Sequence, residues 1–205
     1  MRFTPMGDAA LRIELGDDPD RVRAWDAALR RAALPGVRSV VPAYATVTVF
    51  YAPHEIRYAD LLSRLEAIPV GAEPAPPGAL VVVPVVYDGP DLPFLREHTG
   101  LTTEEIIRLH VEPTYLVRMI GFLPGFPYLS GLPPRLAAPR LPSPRRAVPA
   151  GSVGIGGAQT GVYPMESPGG WRLIGRTSLR LYDPATEPGT LLKAGDRLRF
   201  QAVDA

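Results

Sequence analysis

Ten prolines and ten glycines fall within residues 121–170, and no other feature of this 205-residue chain restricts its fold as much. Proline fixes φ and removes a backbone donor, and glycine loses the most freedom on ordering, so no long helix or strand can run through this segment. Over the whole chain the two residue types total 45, a share well above the roughly 12% of ordinary proteins. Such a composition borders on that of disordered chains. Hydrophobic residues nevertheless make up 46% of the sequence, enough to bury the surface that offsets the ordering entropy. The segment therefore reads as ordered and dense in turns.

The same punctuation divides the chain. Residues 1–68 hold five prolines and three glycines, whereas residues 69–79 (PVGAEPAPPGA) hold four and two. That short stretch reads as a semi-rigid linker between a domain at 1–68 and another at 80–205, a division the length permits. In the first domain Ala9, Leu11, Ile13 and Leu15 alternate as a strand, and Asp18 with Pro19 opens a helix as N-cap and N1. Val22, Trp25, Leu29 and Ala32 share one face of that helix. Strands at 37–41 and 46–51 follow, then a helix carrying Tyr58, Leu61, Leu62, Leu65 and Ile68. The order βαββα predicts an α+β domain with a ferredoxin-like flavour. In the second domain, residues 80–87 form a β-rich run interrupted by Pro84, which places them at an edge or bulge. One helix is well specified there: Thr102 and Glu105 make a capping box, Leu101 and Ile106 a hydrophobic staple. Short strands at 115–120, 171–174, 179–182 and 198–203 complete a β-barrel-like reading.

Several chemistries are disfavoured at once. Lys and Arg total 22 against 21 Asp and Glu, with no long run of like charge, so nucleic acid is not indicated. Cysteine is absent, which removes disulfides, thiolate metal sites and a Cys nucleophile. The first residues lack an apolar leader and no stretch approaches about 20 apolar residues, so the expectation is a cytoplasmic protein without a membrane span. His54, His98 and His110 sit in different contexts and predict no metal site. His110 falls at the end of the predicted helix, where the dipole favours its protonated form. Ser152 follows Ala150-Gly151 without a strand-to-helix elbow, so its hydroxyl is expected to close a turn. No Walker A loop is present. Gly154, Gly156 and Gly157 begin like a dinucleotide fingerprint, but the third glycine is displaced and no long helix follows. Nucleotide binding would need another device or another subunit, and the glycines would then serve positive-φ turns or close backbone approach. Asn and Cys are absent and Gln occurs only at Gln159 and Gln201, a heat-adaptation pattern; the 21 arginines beside the lone Lys193 fit a codon-composition effect equally.

The charge map of the second domain is more specific. Between residues 121 and 182 stand Arg135, Arg140, Arg145, Arg146, Arg172, Arg176 and Arg180 against a single acid, Glu166. Phe122, Phe126, Tyr128, Tyr163 and Trp171 are interleaved with them, beside Gln159-Thr160. One reading is a groove for an anionic small molecule or a partner face, since Arg forks pair with carboxylates and aromatics give rigid contact area. The other is a barrel core with arginines snorkelling from its rim. Glu166 is either a general base or an ion-pair partner, the commoner fate of such a carboxylate.

These residues also carry a likeness. GFLPGFPYL (121–129), VPAGSVGI (148–155), QTGVYP (159–164) and SPGGWRLIGRT (167–177), followed by Leu181-Tyr182-Asp183-Pro184, resemble the allophanate hydrolase subunit 1 family. That family includes the sporulation kinase inhibitor KipI and B subunits of bacterial 5-oxoprolinase. The resemblance implies an α+β domain followed by a cyclophilin-like β-barrel. It implies a non-autonomous subunit working with a homologous cyclophilin-like subunit, of the allophanate hydrolase subunit 2 or oxoprolinase C-subunit type, and with a LamB/YcsF-like subunit. The assembly opens 5-oxo-L-proline to L-glutamate, with ATP and Mg²⁺ required at the level of the complex. On this footing Arg140, Arg145, Arg176, Gln159 and Thr160 are expected to line a carboxylate or phosphate site. Phe122, Phe126, Tyr128, Tyr163, Trp171 and His110 are expected to line a pocket or partner face. The competing implication is a KipI-like inhibitor that binds a sensor histidine kinase.

Overall fold

The structure is a computed structural model and describes residues 1–70 and 78–204. The chain divides into two units, Met1–Pro76 and Pro77–Ala205, and residues 71–77 of the stretch read as a linker lie outside the described residues.

Asp18 starts the first unit's helix as the sequence predicts: its carboxylate accepts from the backbone N–H groups of Asp20 and Arg21 at 3.0 and 3.1 Å. Helix α1 (Pro19–Ala32) ends through Ala33 in the left-handed region. Strands β1 (Arg2–Pro5), β2 (Ala10–Glu14), β3 (Val37–Pro42) and β4 (Thr46–Tyr51) form an antiparallel sheet in the order β1-β2-β4-β3. Alternation along β2 and β4 turns Leu11, Ile13, Val47 and Val49 to one face. There they pack with Val22, Trp25 and Leu29 of α1 and with Leu61 and Leu65 of helix α2 (Tyr58–Glu66). Strand β1 corrects the βαββα reading to ββαββα. It holds four residues ending in Pro5 at a sheet edge, too short to show a period, and is fixed through Phe3 edge-on to Trp25 at 6.3 Å.

The second unit contains strands β5 (Leu80–Val85), β6 (Tyr115–Ile120), β7 (Pro127–Ser130), β8 (Arg145–Val148), β9 (Ser152–Gly156), β10 (Gln159–Val162), β11 (Ser167–Gly169), β12 (Arg172–Arg176) and β13 (Arg197–Ala202). Seven of them form one sheet in the order β12-β9-β10-β7-β6-β13-β5, while β8 and β11 pair as a separate ribbon. The sheet curls until its ends nearly meet. Val86, just after β5, exchanges both backbone hydrogen bonds with Arg176 at the end of β12, each 2.9 Å. Pro84 is accommodated because β5 is a terminal strand of the sheet. Inward-facing Val117, Leu129, Ile155, Val162, Ile174 and Phe200 fill the barrel-like core.

Two helices pack on that core through Leu95 and Ile106: α3 (Leu92–Thr99) and α4 (Thr103–Val111). Both halves of the predicted capping box are formed, with Glu105 N–H donating to Thr102 Oγ1 at 3.2 Å and Thr102 N–H to the Glu105 carboxylate at 2.8 Å. Helix α3 is absent from the sequence reading, because Gly89-Pro90-Asp91 before it and Gly100 after it resemble loop punctuation. The strand expected at 179–182 does not form. Only Tyr182 makes an isolated bridge there, to Thr190. Within 121–170 no element exceeds five residues, as the proline and glycine density demands. Among the described residues no helix is long and apolar enough to cross a membrane.

Candidate functional site

Glycine spacing in β9 and β10 creates the first local environment. Gly154, Gly156 and Gly161 leave one barrel face without side chains, and the indole of Trp171 lies on it. A Cβ on Gly156 would sit 2.6 Å from Trp171 Nε1, and one on Gly161 3.2 Å from Trp171 Cζ3. Phe126 and Tyr128 meet the indole edge-on at 5.3 and 6.0 Å, and Tyr163 meets Phe126 at 5.2 Å. The Arg140 guanidinium stands 5.8 Å over the Trp171 ring, a cation–π arrangement. Burial pushes the Tyr128 and Tyr163 hydroxyls up from their ordinary pKa, and Arg140 partly opposes this. Gly154, Gly156 and Gly161 thus serve close approach by an indole.

A buried carboxylate organises the second environment. Asp91 is 6% exposed and accepts from Arg145 Nη2 at 2.9 and 2.8 Å and from the Leu173 N–H at 2.6 Å. Arg172 Nη1 lies 3.8 Å away, its guanidinium 3.5 Å above the Phe94 ring. Arg145 also donates to the Trp171 carbonyl at 3.2 Å. One carboxylate therefore fastens α3 to β8 and β12. Arg145, expected to bind an external anion, is committed to an internal one. The sequence reading missed Asp91 because its partner lies 54 residues away and no local pattern marks it.

His110 lies in the third environment and overturns its expectation. It is fully buried among Phe200, stacked at 4.4 Å, and Tyr87 and Tyr115, both at 5.7 Å. Burial pulls its pKa down to about 3, so desolvation outweighs any helix-dipole preference for the charged ring. Proton counting assigns the tautomer. Thr160 donates its O–H to the Gly154 carbonyl at 3.0 Å, so it accepts from His110 Nε2–H at 2.9 Å. Nδ1 then accepts from the Tyr87 hydroxyl at 2.7 Å. Thr160 accordingly faces the barrel interior, away from the Trp171 face.

The predicted anion set is thus not assembled in one place. Arg140 and Arg145 flank Trp171, and Gln159 is half-buried at the start of β10. Arg176 lies at the barrel seam, donating to Asp88 at 2.8 Å. Phe122 is 60% exposed at φ +66°, edge-on to Phe126 at 5.5 Å and to Tyr163 at 6.5 Å. A bulky residue in the left-handed region stores backbone strain, a feature that concentrates at functional sites. Ser152 is buried, and its backbone N–H, rather than its hydroxyl, closes the turn onto Pro149 at 3.2 Å. His54 lies against Glu55 and His98 stacks on Phe94.

A fourth environment is an open cleft of about 620 Å³ lined by Ala150, Gly151, Pro164, Met165, Glu166, Thr177, Ser178, Leu179, Arg180, Tyr182 and Pro184. The lone acid of the basic segment, Glu166, is exposed at its wall with no ion pair among the described residues.

A small α+β unit followed along the chain by a nearly closed barrel has counterparts among known proteins. The profile described as "Carboxyltransferase domain, subdomain C and D" matches residues 1–192, and the chain belongs to that family. It is 42% identical over 203 residues to the 5-oxoprolinase B subunit of Escherichia coli O157:H7, covering 95% of this chain and 93% of that one. The 5-oxoprolinase B subunit of Bacillus subtilis (strain 168) is 41% identical over 220 residues, covering 97% and 91%. The crystal structure of TTHA0988 superposes with a TM-score of 0.86 at 39% identity over 96% of this chain. This chain spans 40% of that longer one.

Proposed function

We propose that the chain is the B subunit of a 5-oxoprolinase, a non-autonomous part of a hydrolase complex that opens the cyclic amide 5-oxo-L-proline to L-glutamate with ATP hydrolysis. The observation that carries this reading is the 42% identity to a 5-oxoprolinase B subunit over nearly the full length of both chains. In this reading the small unit is a ferredoxin-like variant, the barrel is cyclophilin-like and the assembly is cytoplasmic. Its partners are a homologous cyclophilin-like subunit and a LamB/YcsF-like subunit.

Trp171 covers Gly154 and Gly156 of the glycine run, and among the described residues no three of His, Asp and Glu come together to hold a metal ion. ATP and Mg²⁺ belong to the complex as a whole, and this chain's part in it is to bind, orient and stabilise negative charge. Arg140, in cation–π contact with Trp171, is suited to the last of these. The relatives' names favour the enzyme-subunit reading over inhibition of a sensor kinase.

The test is ATP-dependent cleavage of 5-oxoproline by the reconstituted complex, with each subunit omitted in turn. Omitting this chain is expected to abolish glutamate formation. Undiminished turnover without it sinks the proposal.

A further inference from the structure

Among the described residues, two depressions of the second unit differ in how they are built. One, of about 400 Å³, is walled by Val86, Tyr87, Ile107, Ala202, Val203 and Asp204; the histidine behind Tyr87 is already bonded through both ring nitrogens. The 620 Å³ cleft is built differently and falls within the roughly 300–1,000 Å³ of small-molecule sites. Its walls come from three stretches that the barrel brings together: the turn before β9, the loop between β10 and β11, and the segment after β12.

The backbone beneath the cleft is tied on both sides. Gly151 N–H donates to the Tyr163 carbonyl at 2.7 Å, and Thr177 N–H to the Gly151 carbonyl at 2.9 Å. Gly151 has φ +81°, and a Cβ there would lie 2.1 Å from the Thr177 carbonyl oxygen, so only glycine allows the two stretches to meet. Charges of opposite sign stand on separate walls. On the β10–β11 side Glu166 has no ion pair among the described residues. Arg180, after β12, donates from Nη1 to Asp183 Oδ2 at 3.0 Å. That exposed pair is weak and exchangeable, and a guanidinium has five N–H donors, so a ligand carboxylate can be received in addition or in its place.

We propose that this cleft binds a small acid carrying an N–H donor beside its carboxylate, with Arg180 receiving the carboxylate and Glu166 accepting from the N–H. For the proposed reaction that ligand is 5-oxo-L-proline, whose ring N–H adjoins the carbon bearing the carboxylate; this identification rests on the 5-oxoprolinase reading. Ring opening leaves an ammonium at the same nitrogen, so Glu166 then faces the product's positive charge.

The test uses the complex reconstituted with wild-type, Arg180→Gln, Arg180→Lys or Glu166→Gln chains. Calorimetric and NMR titrations would compare 5-oxo-L-proline with 2-pyrrolidinone, the same lactam without the carboxylate. Loss of a charge-assisted contact is expected to weaken 5-oxoproline binding about 10- to 100-fold in Arg180→Gln. The same variant leaves 2-pyrrolidinone unchanged, so the preference for the acid collapses, and Arg180→Lys retains part of it. Glu166→Gln is expected to weaken both ligands about 10-fold, since both present the N–H. A folded Arg180→Gln complex that keeps the wild-type preference overturns the assignment, as does a wild-type complex that binds neither ligand. A complex that shows the preference but turns over no 5-oxoproline overturns the oxoprolinase reading and leaves the cleft's ligand class standing.

Discussion

Removing the Asp91 carboxylate is expected to destabilise the second unit by about 3 kcal/mol. Three donated hydrogen bonds of 2.6–2.9 Å end on that group, two from Arg145 and one from the buried Leu173 N–H. In Asp91→Ala the Leu173 N–H is left without its acceptor, at about 1–3 kcal/mol, and Arg145 loses its counter-ion. Breaking a fully buried pair costs about 3–5 kcal/mol. The Arg145 side chain keeps 28% exposure, so water softens that charge and brings the expected total to the lower end. Asp91→Asn keeps an acceptor for Leu173 and should cost about half as much. The chain offers a clean readout because it has only two tryptophans, Trp25 in the first unit and Trp171 in the second. In a Trp25→Phe background, urea unfolding followed by fluorescence reports the second unit alone. With a slope of roughly 1–3 kcal/mol per molar urea, Asp91→Ala should lower the midpoint by about 1 M or more. A double-mutant cycle with Arg145→Ala should give a coupling of about 1.5–3 kcal/mol. A loss under about 1 kcal/mol, or strict additivity in the cycle, would refute the view that Asp91 and Arg145 form one internal fastening.

Further outcomes follow from the same geometry. His110 has an ordinary pKa near 6.5 and a folded value of about 3, so the unfolded chain binds the extra proton between them. Stability on its account is whole above pH 6.5 and falls as pH drops toward 3, by up to about 1.4 kcal/mol per pH unit. The stability advantage of wild type over His110→Phe should therefore shrink between pH 7 and pH 4; a constant difference would show that the ring does not stay neutral in the fold. Gly156→Ala places a methyl within 2.6–2.7 Å of three indole atoms and should cost about 1–3 kcal/mol with a shift in Trp171 emission. Gly157→Ala, at φ +65° with open space around it, should cost about 1 kcal/mol of backbone strain and leave the emission unchanged. Equal spectra for the two variants would contradict Trp171 lying on the β9 glycines.

Local signals in the sequence led to much of the fold. The Asp18-Pro19 start, the Thr102–Glu105 capping box and the β6 run are written in residues a few positions apart, and near-neighbour sterics and hydrogen bonding read them directly. Elements without such signals were missed. Strand β1 is too short to show a period, and α3 is flanked by residues that serve loops equally well. Residues 179–182 have the composition of a strand but acquire no strand partner, only the bridge at Tyr182. Of the expected site, the grouping of Phe126, Tyr128, Tyr163, Trp171 and Arg140 was legible because arginine and aromatic residues crowd one segment. The separation of Thr160 and Arg176 from that group was not, because it depends on the register of β10 and on where the barrel closes.

The sequence by itself determined that residues 121–170 would be short strands and turns, that cysteine chemistry is absent, and which family motifs the chain carries. Only the tertiary structure decided the state of each polar group. Asp91 arrives beside Arg145 from 54 residues away and turns a supposed ligand-binding cation into a structural one. Exclusion of water makes His110 neutral, and the closing of the barrel leaves Glu166 and Arg180 on the walls of one cleft. Backbone preferences act between neighbours in the chain, whereas charge, protonation and exposure are set by whichever distant groups folding brings close and by the water it removes.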